Sequence, residues 1–299
     1  FRIRAQRVLR PFVVNITLDV PDANPGDGRA LTQSGNTSLR AAIMEAYAAA
    51  GTGLYVAITF DLPANTTLSI GVNPLGAVLG ALPDLHGRIL IAGPGSEQLT
   101  ISRNPDAGDF RIFTAGPNSS VTIQDVSITN GRATGGTPDE RLGGAIANFG
   151  TMSLARVAIF GNYAADSGGA IANMSYSSLT AHESSIYANE AVNQGGAIFN
   201  RGQAEIREAT SISSNTAKTG GGIYNSEGGQ LVINTASQIF ANAATGNGLL
   251  EGRGGGIANF GGLVTITDAY IGFNTSLNEG GGLYSEGNAW LTNVNIEQN

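Results

Sequence analysis

Two sequence marks recur in phase along most of the chain, and they limit its fold more than any other feature. Repeats of roughly 25 to 34 residues, as here, are typical of solenoids. The first mark is Gly-Gly-x-Ile or Gly-Gly-x-Leu, which begins at residues 143, 168, 195, 220, 254 and 280. It usually continues with x-Asn, which gives Asn148, Asn173, Asn200, Asn225 and Asn259. The second mark is Ile-x-x-Asn, which ends at Asn162, Asn189, Asn215, Asn242, Asn274 and Asn299.

These marks predict an all-β chain that folds as a right-handed parallel β-helix, a solenoid with coils of roughly 25 to 34 residues. Each short strand then pairs with its equivalent one coil later, at about 4.8 Å, so that identical residues stack. The isoleucines form an apolar interior column. Buried asparagine columns satisfy their own amides and the backbone groups of the turns, which are otherwise costly to bury. The paired glycines allow positive φ or close backbone approach at a corner.

The N-terminal third is predicted to cap this solenoid. The repeat is weak before residue 110, so residues 1–110 are expected to form a cap and the first irregular coils. Residues 111–299 are expected to form the regular coils, truncated at the C-terminus because the last residues stop inside a repeat. Thr37 and Ser38 precede an apolar-faced segment, which predicts a capped helix. Such a helix would cover the strand edges and the interior at one end of the β-helix.

The charge balance and the residue types exclude several partners and sites. The formal net charge is −7 and Lys218 is the only lysine, whereas nucleic-acid affinity depends on neutralising phosphates with lysine and arginine. We therefore expect no nucleic-acid partner. The chain has no cysteine, which excludes disulfides and thiolate sites. It also has no apolar run of about 18 residues, so we expect no transmembrane segment.

Two parts of the sequence resemble known bacterial families. The segment SLRAAI at residues 38–43, with DVPDANPGDG before it and AITF, LPDLHGRILIAGPG and LTIS after it, resembles the "CSLREA" N-terminal module of secreted β-helix proteins. Thr37 stands where that module has Cys, and Ala41 where it has Glu. The GGAI and Ile-Phe-x-Asn coils resemble the repeats of chlamydial polymorphic outer-membrane proteins. The resemblance implies a surface or secreted protein, often an adhesin or passenger segment.

The search for catalytic chemistry favours a non-enzymatic protein but leaves the question open. β-Helices also carry polysaccharide lyases and hydrolases, which need clustered carboxylates for Ca²⁺ or for acid–base work. When the coils are aligned on their asparagines, no column places two carboxylates on adjacent coils beside a base. One column pairs Arg156 with Glu183, which we interpret as a surface ion pair. His86 and His182 are the only histidines and lie far apart in the sequence, so neither a histidine triad nor a multi-histidine metal site is expected.

An aspartate-rich stretch near the N-terminus offers a candidate cofactor, a Ca²⁺ ion. The oxygen ligands would be Asp19, Asp22, Asn24 and Asp27. Hard oxygen ligands at short intervals suit this ion, although the spacing matches no EF-hand. A plain Asx-rich turn explains the same residues without a metal. No other cofactor is expected.

The position after the isoleucine or leucine of the first mark carries an aromatic residue in three coils. These residues are Phe199, Tyr224 and Tyr284. Strand alternation points this position away from the interior, so the rings are candidates for stacking on the sugar rings of a glycan. Burial in a widened corner or under a partner chain is the alternative.

Two coils carry a longer turn, at residues 131–142 and 243–254, from the same corner and four coils apart. At one strand spacing per coil their roots are roughly 19 Å apart, with three short turns between them. Loops on a rigid scaffold often carry function, so we predict that the two turns flank a partner-binding platform. The alternative is neutral insertion. The candidate contact residues are Asp139, Glu140 and Arg141 in one turn and Leu249, Leu250, Glu251 and Arg253 in the other.

These observations lead to three hypotheses of function. The leading one is an extracellular or cell-surface structural or adhesive β-helix, which presents loops to a surface glycan or protein partner or packs into a self-assembly. The alternative is a polysaccharide lyase or hydrolase of the pectate-lyase-like β-helix type. A second alternative is a carbohydrate-binding β-helix without catalysis. The lack of a carboxylate cluster in the aligned sequence favours the first over the enzyme, and a glycan-binding measurement separates the first from the third.

Overall fold

The structure, a computed structural model, describes residues 11–248 and 251–299. It confirms the parallel β-helix, in which each regular coil contributes up to four short strands. Each strand pairs in parallel with its equivalent in the next coil, as Ile146 does with Ile171 and Met152 with Leu179. The repeat marks therefore occupy the same place in every coil.

The strands form three faces and a short fourth one. The first face holds Phe113–Ala115 and the strands of the first mark, which are Ile146–Asn148, Ile171–Asn173, Ile198–Asn200, Ile223–Asn225, Ile257–Asn259 and Leu283–Ser285. The second face holds Phe12–Val14, Tyr55–Phe60, Arg88–Ala92, Ser120–Gln124, Thr151–Ala155, Ser178–His182, Gln203–Arg207 and Gln230–Ile233. The third face holds Thr66–Ile70, Leu99–Arg103, Ser127–Thr129, Ala158–Phe160, Ser185–Tyr187, Ser211–Ser213 and Gln238–Phe240.

Two further sets of strands complete the coils. Leu263–Gly272 and Asn288–Glu297 are long strands that run through both the second and the third face. The short face holds Arg132–Ala133, Tyr163–Ala164, Glu190–Ala191, Thr216–Ala217, Ala243–Ala244 and Thr275–Ser276. Two short 3₁₀ turns, Pro105–Ala107 and Asp139–Arg141, lie between strands.

One apolar core fills the solenoid from Val14 to Ile271. From Ile146 to Ile271 the isoleucines of both marks are fully buried in it, as predicted, and they stack coil upon coil, whereas Ile296 in the last coil is half exposed. Burying one such side chain contributes about 1.5 to 3 kcal/mol relative to leaving it exposed, and the column repeats this gain in each coil. The interior column therefore holds the coils in register.

Both asparagine columns form the buried ladders that the sequence predicts. In the first ladder each amide nitrogen donates to the next amide oxygen at 2.7 to 2.8 Å, from Asn148 as far as Asn259, which then donates to Ser285 Oγ at 2.9 Å. In the second ladder the corresponding distances are 2.9 to 3.0 Å, from Asn162 to Asn299. The side chains also bond backbone groups at the turns, so polar groups there are satisfied without water.

The α-helix Leu39–Ala48 covers the N-terminal end of the β-helix. Its N-cap is Ser38, whose hydroxyl accepts a hydrogen bond from the Ala41 backbone N–H at 3.0 Å. Ile43 is buried, and the helix packs against the first two strands of the second face. Tyr47 near the end of the helix is half exposed, with its ring edge-on to His86 at 5.0 Å.

Candidate functional site

An open groove of about 530 Å³ lies where the first face turns into the second face, across three consecutive coils. We call it the corner groove. It is lined by Ser175, Tyr176, Ser177, Ser178, Arg201, Gly202, Gln203, Glu227, Gly228 and Gln230. Hydroxyl, amide and charged groups therefore surround a single aromatic side chain, and none of these residues was predicted from the sequence.

The first asparagine ladder fixes one edge of the corner groove. Strands of the second face begin at Ser178, Gln203 and Gln230, which pair in register and so repeat at about 4.8 Å. The backbone carbonyl of Gln203 accepts a hydrogen bond from the amide of Asn173 at 2.8 Å. Gln230 O accepts one from Asn200 at 3.1 Å. Buried bonds thus hold the backbone whose outward side chains line the groove.

Tyr176 stands at the rim of the corner groove with its side chain in solvent. The residue is fully exposed, at 105%, and its backbone is left-handed with φ of 66°. Large aromatic residues are seldom left uncovered, because burying a ring removes considerable apolar area from water. Arg201 lies on the next coil, with its guanidinium 4.9 Å from the centre of the Phe199 ring. The groove therefore offers an uncovered ring beside hydrogen-bonding groups.

A charged corner lies at the other end of the second face. His182 Nδ1 is 3.4 Å from Glu208 Oε2 and 3.8 Å from Glu183 Oε2. The prediction that no adjacent coils place two carboxylates beside a base is therefore wrong. The corner after Arg207 has one residue more than the corner after His182, so alignment on the asparagines set Ala209 opposite Glu183 in place of Glu208.

Arginines surround this charged corner. Arg156 and Glu183 form the ion pair that the alignment indicates, at 3.5 Å, but the main partner of Arg156 is Asp125, at 2.7 and 2.8 Å. The hydrogen bonds and charge of Asp125 raise the pKa of Arg156 above its ordinary value. Arg207 contacts Glu208 Oε1 at 2.6 Å. The corner residues, among them Asp125, Arg156, Glu183 and Glu208, have left-handed backbones with φ between 50° and 57°.

The aromatic candidates of the first face lie in a stacked column. Phe199 and Tyr224 have ring centres 5.8 Å apart, and the stack continues through Phe260 to Tyr284. Phe199 and Tyr224 are buried in a small outer cluster, and burial raises the pKa of Tyr224. The sequence left open whether these two rings stack on a glycan or are buried. The structure shows that they are buried at a corner. Tyr284 is partly exposed, under the guanidinium of Arg253 at 4.9 Å.

The two long turns leave the short face at the predicted place, four strands apart. In the first turn Asp139 and Glu140 are exposed and Arg141 is partly buried. The Thr137 backbone N–H donates to Glu140 Oε2 at 3.0 Å and lowers the pKa of that carboxyl. Together these residues form an ordered 3₁₀ turn that exposes its two carboxylates.

The second turn is tied to neighbouring coils. Glu251 lies 3.4 Å from Lys218, and Arg253 lies 3.2 Å from both Glu279 and Glu286. Leu249 and Leu250, the apolar candidates of this turn, lie outside the described residues. The partner-binding platform between the two turns remains a prediction.

The structure places the four Ca²⁺ candidates in two environments. Asp19 is buried and accepts hydrogen bonds from Arg40 at 2.7 and 2.8 Å and from the Gly71 backbone at 2.6 Å. Asp22, Asn24 and Asp27 bond within their own loop, as an Asx-rich turn does. In residues 11–248 and 251–299, the carboxylates of Asp19, Asp22 and Asp27 do not converge as a three-carboxylate group within 4.8 Å. Asp19 therefore serves as the ion-pair partner of Arg40.

Asp22 is a buried carboxylate with one oxygen, Oδ2, that has no hydrogen-bond partner. Burial raises its pKa above the ordinary 3.8; a backbone bond from Asn24 opposes this, and the charges of Glu45 and Asp27 add to it. The folded protein therefore binds a proton on the Asp22 carboxyl more tightly than the unfolded chain does. The stabilisation that protonated Asp22 contributes is fully present below pH 3.8, its ordinary pKa. It is lost as the pH rises through the folded-state pKa.

We expect Asp22→Asn to raise the free energy of unfolding at neutral pH by about 1 kcal/mol, because it removes an incompletely bonded buried charge. The gain should shrink as the pH falls through the folded-state pKa. Urea unfolding of both proteins between neutral pH and about pH 3 measures this difference. The exposed Asp61→Asn is the control and should change stability by less than about 0.5 kcal/mol. A gain that persists unchanged in acid would contradict the assignment.

Comparison with known protein-family models, curated proteins and solved structures finds no match to this chain. In residues 11–248 and 251–299, no helix is long and apolar enough to cross a membrane. The function is therefore inferred from the geometry of the corner groove and the charged corner.

Proposed function

We propose that this chain is an extracellular or cell-surface adhesive β-helix that binds a glycan in the corner groove. The observation that carries this proposal is the fully exposed ring of Tyr176 beside a groove lined with amide, hydroxyl and charged side chains. Ligand sites typically combine apolar contact area with a few polar groups that fix orientation. A sugar ring matches this combination, because it presents C–H groups on its face and hydroxyl groups at its edge.

Rigidity supports the same proposal. The backbone carbonyls of Ser178, Gln203 and Gln230 are each held by a buried asparagine of the first ladder. A site whose backbone is already ordered loses less conformational entropy when it binds a ligand. The repeated spacing of these three residues also offers equivalent polar groups to successive units of a polymer.

Replacing Tyr176 with alanine is expected to weaken glycan binding at least about 10-fold, because the ring supplies the main apolar contact. Binding partners would first be found on a glycan array, and affinities for the best glycan would then be measured by titration calorimetry. Tyr187→Ala is the matched control. That tyrosine is also exposed, but it lies on the third face and stacks on Phe160.

Two results would overturn the proposal. One is the absence of binding to any glycan by the parent chain. The other is equal affinity of Tyr176→Ala, Tyr187→Ala and the parent for the same glycan. A circular dichroism spectrum unchanged by Tyr176→Ala confirms that the coils remain folded.

One observation favours the second candidate, a polysaccharide lyase or hydrolase. His182, Glu183 and Glu208 bring a base and two carboxylates together, and such groups carry acid–base chemistry on sugars. The corner groove, however, borders the start of strand Ser178–His182 and the cluster borders its end, about 13 Å away. We expect bound glycans to stay intact, and new reducing or unsaturated ends lost in Glu208→Gln would favour the enzyme.

A further inference from the structure

We infer that His182, Glu183 and Glu208 form a binding site for one divalent transition-metal ion, with Zn²⁺ as the matching ion. The site lies at the charged corner and does not depend on glycan binding in the corner groove. The three side chains come from two adjacent coils, because His182 pairs with Arg207 and therefore Glu183 lies opposite Glu208.

The distances fit a single ion. Ligand atoms about 2.1 Å from one tetrahedral Zn²⁺ are about 3.4 Å from one another. His182 Nδ1 is 3.4 Å from Glu208 Oε2 and 3.8 Å from Glu183 Oε2, and the three ligand atoms all lie within 4.8 Å of one another. No other group of three or more His, Asp or Glu side chains in the described part of the chain converges in this way. A small rotamer adjustment would thus bring all three atoms to one ion.

The nitrogen that faces the carboxylates has no hydrogen-bond partner. His182 Nδ1 is inaccessible to solvent, although the side chain as a whole is 19% exposed. A buried polar atom is normally satisfied, so an orphaned nitrogen directed at two carboxylates needs a reason. A metal ion accepts the nitrogen lone pair and is bound by the carboxylate oxygens at the same time.

Charges and hydrogen bonds around the site support a cation. Asp125 holds Arg156 through both carboxylate oxygens, Arg156 also contacts Glu183 Oε2 at 3.5 Å, and Arg207 holds the Oε1 oxygen of Glu208. Glu208 Oε2 is therefore left for the ion, while the arginine fixes the orientation of the carboxylate. The corner keeps an excess of two negative charges, counted over Asp125, Arg156, Glu183, Glu205, Arg207 and Glu208.

The ligand set selects the class of ion. One imidazole nitrogen with two carboxylate oxygens suits Zn²⁺, whereas Ca²⁺ takes six to eight oxygen ligands, about twice the number of ligands here. Three protein ligands also leave a fourth tetrahedral position for water. We therefore expect binding of Zn²⁺ that a large excess of Ca²⁺ does not displace.

Titration calorimetry of the untagged chain with Zn²⁺ tests the inference. We expect one ion per chain, and affinity at least about 10-fold lower in His182→Gln and in Glu208→Gln. His86→Gln is the matched control, because His86 is the only other histidine and, in the described part of the chain, Asp84 is the only carboxylate within 4.0 Å of it. It should bind Zn²⁺ like the parent.

A spectroscopic measurement on the unmodified chain tests the same site without any variant. Addition of Zn²⁺ should shift the imidazole nitrogen resonance of one histidine, with Nδ1 as the coordinating atom, and Co²⁺ should give a tetrahedral visible spectrum. No heat and no resonance shift would overturn the inference. So would Zn²⁺ binding that His182→Gln leaves unchanged or that His86→Gln abolishes.

Discussion

Replacing Asn215 with alanine is expected to lower the free energy of unfolding by about 3 kcal/mol, because several buried groups lose their partners together. The amide nitrogen of Asn215 shares its two hydrogens among Ile186 O, Ser213 O and Asn242 Oδ1, at 2.9 to 3.0 Å. Its oxygen accepts from the backbone and side-chain nitrogens of Asn189, both at 3.0 Å. Alanine supplies none of these bonds and leaves the Asn189 backbone N–H without an acceptor.

The matched control for this change is Asn288→Ala, which removes the same amide from an exposed position on the last strand. Urea unfolding of both variants, followed by circular dichroism, gives the two free energies. We expect the control to change stability by less than about 0.5 kcal/mol. Equal stability of Asn215→Ala and the parent would mean that the second ladder does not hold the coils together.

Gly196→Ala is expected to cost about 3 kcal/mol or more, because there is no room for a methyl group at the Gly-Gly corner. A Cβ at this position would lie 2.2 Å from Gly221 O and 2.6 Å from both Thr216 N and Thr216 O. These are backbone atoms of the next coil, so relief requires the coils to separate. Overpacking of this kind costs about 1 to 3 kcal/mol even where side chains can move.

Gly136→Ala is the control for this second change. Gly136 lies exposed in the first long turn, and a Cβ there would meet nothing within 4 Å. Neither glycine has the left-handed φ that a side chain would strain, so the two variants differ mainly in available space. Thermal unfolding should separate them clearly. Similar melting temperatures would show that the coils are looser at this corner than the structure indicates.

The sequence predicts the fold because two marks recur with the same phase. Ile198 and Asn200 each stack on an identical residue in the next coil, Ile223 and Asn225, and the pairing in the structure matches residue by residue. Burial of the isoleucines and bonding of the asparagines both favour the same register. Local and long-range structural preferences therefore agree, so the fold of such a chain can be predicted from its sequence.

The candidate site was harder to predict, because it lies at corners where coil lengths vary. One extra residue before Ser211 concealed the juxtaposition of Glu183 and Glu208 from the alignment. Tyr176 lies in the turn after Asn173, which is longer than the turn after Asn200. This difference in turn length was the sequence signal that could have indicated the corner groove. The alternation of side chains along the strand predicts that Phe199 points outward. It does not predict that the ring is buried, because its burial depends on the neighbouring rings.

The asparagine ladders make the solenoid electrically polar along its axis. Along both ladders each asparagine donates from its Nδ2 to the Oδ1 of the asparagine in the following coil, while in the second ladder Nδ2 also donates to a backbone carbonyl of the preceding coil. The side-chain dipoles are therefore aligned head to tail, and each bond polarises the next. Their positive ends point to the C-terminal coils and their negative ends to the helix-capped end. An uncharged interior can thus carry a field along the length of the molecule.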